Sequence, residues 1–182
     1  MATGTDAFVT VQVAPAADIG SLAADRLALA VASCPAAFLG MATGSTPKQT
    51  GFWEQLRQRV ARGELDLSQA TFVNPDEWIG LGDPDHAEAY LSYLKKELAF
   101  DTNISVPDGC AADPVQGALA VEEAIVAGGG FEWMLMGMGI NGHIGFYEPA
   151  ESLSSQAFTP AIDELNRERY HSGKFSISFG VQ

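Results

Sequence analysis

Three short stretches hold the residues whose types and spacing could do chemistry. The first is Thr43, Gly44, Ser45, Thr46 and Pro47. Small residues there let backbone N–H groups converge and hydroxyls add donors, a combination suited to a phosphate group. There is no GxxxxGK[ST] pattern, and Lys48 falls inside the helix that Thr46 and Pro47 announce, so this is not a P-loop. The alternative is a glycine turn with an ordinary N-cap. The second stretch is Asp76 and Glu77, directly after the apolar Thr71–Val73. A carboxylate at a strand end can act as a general base where burial or neighbours lift its pKa. Its alternative is a solvated acidic cap before a turn. The third is His143, in a glycine-rich run with Asn141, Gly142 and Gly145 and with Glu148 following. A carboxylate beside an imidazole fixes its tautomer and raises its proton affinity, which makes an acid-base pair near neutrality. A histidine capping backbone carbonyls in a tight loop is the competing reading. His86 and His171 stand in polar contexts and read as surface residues. With three histidines so dispersed, no metal site is expected.

Secondary elements must bring those stretches together. Phe8–Val13 alternates apolar and polar residues and predicts a first, partly exposed strand. Asp18 is placed to cap a helix that carries Leu22, Ala23, Leu27 and Ala30 inward to about Ser33, with Pro35 at the exit. Ala36–Met41 reads as a strand, and the helix from Pro47 buries Phe52, Trp53, Leu56 and Val60. Thr71–Val73 is another short strand. A helix over about 86–98 turns Leu91, Leu94 and Leu98 to one face. Asp113 and Pro114 open the next helix, with Leu119 and Ile125 inward and Gly128–Gly130 at its end. The apolar run from Phe131 predicts a buried central strand that opens at Gly137 into the His143 loop, at the sheet edge where α/β proteins bind ligands. Phe175, Ile177, Phe179 and Val181 alternate with small polar residues as a last strand. Alternating strands and helices imply a single α/β domain over residues 1–182, Rossmann-like and doubly wound, with a mainly parallel sheet. Trp53, Trp78, Trp133 and Tyr147 read as packing residues, with Trp78 or Tyr147 as candidates to line a pocket.

A formal net charge of −13 excludes nucleic acid and anionic membranes as expected partners, because both are held chiefly through Lys and Arg. A single phosphate is not excluded, since local N–H groups suffice for it. No apolar stretch reaches the roughly 18 residues of a membrane span. The start MATGTDAFVT lacks a basic flank and an apolar signal core, so a cytoplasmic location is expected. Cys34 and Cys110 have neither CxxC nor metal-like spacing and read as small buried thiols.

Leu39–Pro47 (LGMATGSTP), Thr71–Leu81 (TFVNPDEWIGL) and Met136–Pro149 (MGMGINGHIGFYEP), in that order and spacing, together resemble the glucosamine-6-phosphate deaminase (isomerase) family. That family includes galactosamine-6-phosphate isomerases and is related to 6-phosphogluconolactonases. The resemblance implies isomerisation of a phosphorylated amino sugar with loss of ammonia. It implies that Thr43, Gly44, Ser45 and Thr46 hold the phosphate, and that Asp76 moves the C2 proton toward C1. His143, oriented by Glu148, is implied in opening the pyranose ring. No cofactor is expected, because protons and not hydrides move, and a homo-oligomer is expected.

Two departures from the family pattern stand out. Asn141 replaces an aspartate; an amide still hydrogen-bonds but cannot act as acid or base. Either Glu148 alone then sustains the dyad or deamination is impaired. The DEW and NGH elements look closer to the galactosamine branch. Family members also continue past the strand that ends here near Val181, with units that supply a phosphate-binding lysine. The chain is therefore expected to be truncated at its C-terminal side, or to borrow neighbours from a partner chain. Arg167 and Arg169 match no family position. Two further readings remain: a 6-phosphogluconolactonase-like hydrolase, against which the Phe146-Tyr147-Glu148-Pro149 context argues, and a non-catalytic sugar-phosphate sensor.

Overall fold

Four parallel strands carry the loops that matter. In the computed structural model, residues 9–81, 85–139 and 142–145 and the backbone of 176–178 are described. The elements run α1 Ala16–Ser33, β1 Phe38–Met41, α2 Ser45–Gln49, α3 Phe52–Ala61, β2 Thr71–Val73, β3 Asp76–Trp78, α4 Tyr90–Leu98, β4 Asn103–Ser105, α5 Pro114–Ala127, β5 Phe131–Leu135 and β6 Ser176–Ser178. The parallel sheet has the order β4-β2-β1-β5, and β3 pairs with β6 in a separate antiparallel pair.

This order follows from where the helices lie. Side chains of a strand alternate between faces. Leu39 and Phe72 join Leu27 of α1, Leu56 of α3 and Leu94 of α4 in the main core, while Phe38 and Val73 pack with Val121 and Ile125 of α5. From β1 the chain works outward through β2 to β4, and α5 then returns it across the sheet to β5, on the other side of β1. The direction of winding thus reverses between β1 and β5. In such sheets the loops leaving the two central strands diverge there and open a crevice. Close approaches hold the layers in place. A Cβ on Gly20 of α1 would fall 2.1 Å from the Thr50 carbonyl oxygen, so only glycine lets α1 seat against the break between α2 and α3. Phe52 and Trp53 meet edge to face at 5.0 Å, and Trp53 Nε1 donates to the Tyr93 hydroxyl at 3.2 Å.

The doubly wound, parallel architecture agrees with expectation, and several local expectations do not. Residues 9–13 form no strand; Val9, Val11 and Val13 are 88%, 81% and 91% exposed, since without a neighbouring strand alternation gains no burial. Phe8 lies outside the described residues. Asp18 sits in the first turn of α1, which begins after Pro15, and makes no capping bond. The single helix expected from Pro47 is two: α2 starts after Gly44 with no side-chain cap, and Gly51, at φ 74°, turns the chain into α3. Helix α4 begins at Tyr90 and not near 86, and β4 carries no alternation that a reading of the sequence would detect. Asp113 does cap α5, accepting from the Val115 and Gln116 N–H groups.

Strand β5 lies at one end of the described sheet. Among the described residues it has one neighbour, β1, and its side chains are half-buried or exposed. The last strand is not parallel either: residues 176–178 pair antiparallel with β3, register Asp76 to Ser178, and the rest of Phe175–Val181 lies outside the described residues apart from this stretch. Cys34 is half-buried and Cys110 exposed in the turn before α5, where its N–H donates to Asp108 Oδ1, so neither is a buried thiol. No helix among the described residues is long and apolar enough to cross a membrane.

Candidate active site

The β1–β5 crevice is a cavity of about 470 Å³, and three chain segments meet in it. Thr43, Gly44, Ser45 and Thr46 come from the loop after β1, Asp76 from β3, and His143 with Gly145 from the loop after β5. Six of the eight residues singled out in the sequence thus line one cavity. The other two, Asn141 and Glu148, lie outside the described residues, as does Tyr147. Trp78 does not reach this cavity; it is buried against Leu81 and Tyr90, with ring centroids 5.8 Å apart from the latter.

The first loop is fastened at its base, where the Ala42 N–H donates to the Leu135 carbonyl at 3.0 Å and so ties the exit of β1 to that of β5. At its far end Thr50 N and Oγ1 both bond the Thr46 carbonyl at 2.9 Å. Between those ties Gly44, Ser45 and Thr46 are exposed to the cavity. The first N–H groups of a helix have no intrahelical acceptor, so the start of α2 leaves donors there for an anion.

Asp76 and Glu77 are not a solvated cap. They are 6% and 5% exposed. Each is buried for a different reason. Glu77 Oε1 accepts from the N–H groups of Trp78 (2.8 Å) and Tyr90 (3.0 Å), and Oε2 accepts from that of Leu91 (3.1 Å). Helix α4 begins after Ala89, which cannot cap it, so Glu77 supplies the missing acceptor from another strand. Burial pushes its carboxyl up, against the pull of those three N–H bonds. Asp76 has no such set of N–H donors. Burial pushes its carboxyl up to about 7; the amide of Asn74 works against this, and the charge of Glu77 adds to it.

Asn74 is fully buried at the end of β2, and its Nδ2 donates both to the main-chain carbonyl of Asp76 and to Asp76 Oδ1, the latter at 2.9 Å. Among the described residues its own Oδ1, which is buried, has no hydrogen-bond partner. Such an unsatisfied atom costs about 1–3 kcal/mol, which asks for a compensating use. The other carboxyl oxygen, Asp76 Oδ2, lies 3.8 Å from where a Cβ on Gly145 would stand, so the His143 loop reaches the carboxyl.

That loop is a tight reversal. Met138 and Ile144 form an antiparallel bridge, the Gly139 N–H donates to the His143 carbonyl at 2.7 Å, and the Gly142 N–H to the Gly139 carbonyl at 3.0 Å. Gly145 adopts φ 61°, in the left-handed region. The imidazole lies flat on Gly139: a Cβ there would come within 2.1 Å of Cε1. Reading the sequence for function missed Asn74, Gly139 and the cavity-lining Tyr90. Asn74 stands two residues before Asp76 at a strand end, and that spacing is the signal that could have found it. His86 is exposed, its Nδ1 accepting from the Glu88 N–H. Among the described residues no group of three or more His, Cys, Asp or Glu side chains could hold a metal.

A carboxyl poised near neutrality, an anion-friendly loop and an imidazole around one cavity suit proton transfer at carbon in an anionic substrate. No family model matches the sequence. It is 38% identical over 154 residues to a glucosamine-6-phosphate deaminase of Arthrobacter sp. (strain FB24), covering 82% of this chain and 58% of that protein. It is 42% identical over 128 residues to the glucosamine-6-phosphate deaminase of Hahella chejuensis, covering 67% of this chain and 47% of that one. The chain thus spans about half to three fifths of the length of these curated relatives. Among solved structures, a glucosamine-6-phosphate deaminase described as monomeric superposes with a TM-score of 0.84 at 29% identity, over 92% of this chain and 74% of that one. The 6-phosphogluconolactonase of Trypanosoma brucei gives 0.67 at 14% identity over the same shares, a likeness of fold alone.

Proposed function

Because the chain belongs by sequence with the glucosamine-6-phosphate deaminases, we propose that its cavity isomerises and deaminates a 2-amino-2-deoxyhexose 6-phosphate. The products are a ketohexose 6-phosphate and ammonia. The observation that carries this reading is Asp76: a buried carboxyl pushed up to about 7, sharing its cavity with the Thr43–Thr46 loop and His143. A general base works best when its pKa lies near the working pH.

In the proposed reaction the loop donates hydroxyl and N–H groups to the 6-phosphate, which places the sugar carbons toward Asp76 and His143. His143, with Glu148, moves the proton that opens the pyranose ring. Asp76 takes the proton from C2 of the open aldehyde; the C2–H electron pair becomes the C1–C2 double bond and O1 gains a proton. Return of the proton to C1 leaves C2 an imine. Water adds there, ammonia departs, and the ketone remains. An amide at position 141 can hydrogen-bond but cannot act as acid or base, so in this reading Glu148 is the carboxylate of the dyad; were it unable to sustain the dyad alone, deamination would be impaired. The relatives named above are glucosamine enzymes, which favours the gluco epimer, whereas the DEW and NGH elements favour the galacto one.

Incubation with each epimer, with ammonia measured over time, tests the reading and ranks the two. Saturable ammonia release from at least one is expected; tight binding of both with neither ammonia nor exchange of the C2 proton in deuterium oxide would instead establish a sensor. The homo-oligomer expected from the sequence is a separate matter, since the similar solved deaminase is described as monomeric. Sedimentation equilibrium decides it.

A further inference from the structure

We infer that Asn74 is a positioning residue for Asp76: its amide occupies Oδ1, so that Oδ2, on the Gly145 side, is the oxygen that takes the substrate proton. This rests on the proposed role of Asp76 as the base. Asn74 is fully buried and gives both of its N–H bonds to one residue, the carbonyl and the carboxyl of Asp76. Turning the amide over would set its carbonyl oxygen against two acceptors, so Asp76 fixes which way it faces. The buried, unpartnered Asn74 Oδ1 is the consequence.

The N–H bond occupies one lone pair of Oδ1 and lowers the basicity of that oxygen, which leaves Oδ2 the more basic of the two. The carboxyl therefore has one oxygen held and one offered. When the C2–H bond breaks, the proton joins a lone pair of Oδ2 while the electron pair enters the C1–C2 bond, and the same oxygen can return the proton to C1 without rotation of the carboxyl. The amide also stabilises the ionised carboxylate, which burial alone would push still further from ionisation. Other titratable groups facing Asp76 are Glu77 on its own strand, Tyr90 from α4 and His143 from the loop after β5. The loop after β1 offers hydroxyls, and α1 only Ile19 and Ala23.

The test follows Asp76 directly, by carbon-13 NMR titration of aspartate carboxyls assigned with Asp76→Asn, beside C2-proton exchange with solvent. Asn74→Leu, and the smaller Asn74→Ala should the first not fold, are expected to move the Asp76 titration upward by about one pH unit. The acid limb of kcat should move with it, giving about a fivefold loss at pH 7 that approaches tenfold at lower pH, with KM little changed. An unmoved Asp76 titration and an unmoved acid limb in a folded variant would overturn the inference. A shifted titration in a protein whose wild type shows no exchange with either sugar would uphold the hold of Asn74 on Asp76 and sink the proposed reaction instead.

Discussion

Asp76 and Glu77 are adjacent on β3 and equally buried, yet the structure satisfies them by opposite means. Glu77 is surrounded by backbone donors: three N–H groups fill its two oxygens, and it finishes the N-terminus of α4. Among the described residues Asp76 receives only the Asn74 amide, and it keeps an oxygen beside the cavity. Burial costs both. Burial raises both carboxyls; three N–H bonds offset part of that for Glu77, whereas Asp76 is held up to about 7, where a proton can be exchanged near neutrality. Two identical functional groups in consecutive positions therefore differ because of their partners.

The sharpest way to break this contrast is to neutralise each in turn. Asp76→Asn is expected to lower C2-proton exchange about a thousandfold while leaving substrate binding and folding intact, since it removes a buried charge and keeps the shape. Exchange at the wild-type rate would show that the base lies elsewhere. A hundredfold loss is expected for Gly139→Ala, because the added Cβ displaces the His143 ring from its seat; ring opening should slow more than reaction of the open-chain sugar. Glu77→Ala should act chiefly on stability, costing about 3 kcal/mol in urea unfolding; because the Glu77 charge helps to hold the Asp76 carboxyl up, the acid limb should move slightly down while the plateau kcat of the folded fraction stays unchanged. A selective loss of turnover there would erase the division between the two carboxylates.

The pH dependence separates the two carboxylates in another way. Asp76 has an ordinary value of 3.8 and a folded value of about 7. Between them the native state holds the extra proton, so its contribution to stability is full below the lower value and is lost as pH rises through the upper one. Turnover runs the other way, since the base must be ionised: it should rise over the same interval. Asp76→Asn should flatten the stability slope there, measured by unfolding at several pH values, and a slope unchanged from wild type would mean that Asp76 ionises in the fold as it does in water.

Local chemistry was legible where it depended on neighbours in the chain. Asp113 before Pro114 announced α5, and the Gly128–Gly130 run its end, because capping and left-handed turns are settled within a few residues. The Thr43–Thr46 loop, Asp76 and His143 were legible as candidates from residue type and flanking strands. Alternation misled at Val9–Val13, because a strand exists only with a partner to pair with. The three-residue β4 was invisible for the complementary reason: it is a strand only because β2 lies beside it. The position of β5 at one end of the described sheet, and the pairing of β6 with β3, likewise depend on which strands meet.

By itself the sequence determined the residue types, the alternation of strands and helices that marks an α/β fold, and three motifs that resemble one family. Tertiary structure alone decided that the loop, Asp76 and His143 share a cavity, because the reversal of winding between β1 and β5 is a property of the sheet. It decided, too, that Glu77 caps a helix thirteen residues away while Asp76 keeps an oxygen beside the cavity. A carboxylate's role is set by how many donors surround it and by how much water does, and neither is written in the two letters that name the pair.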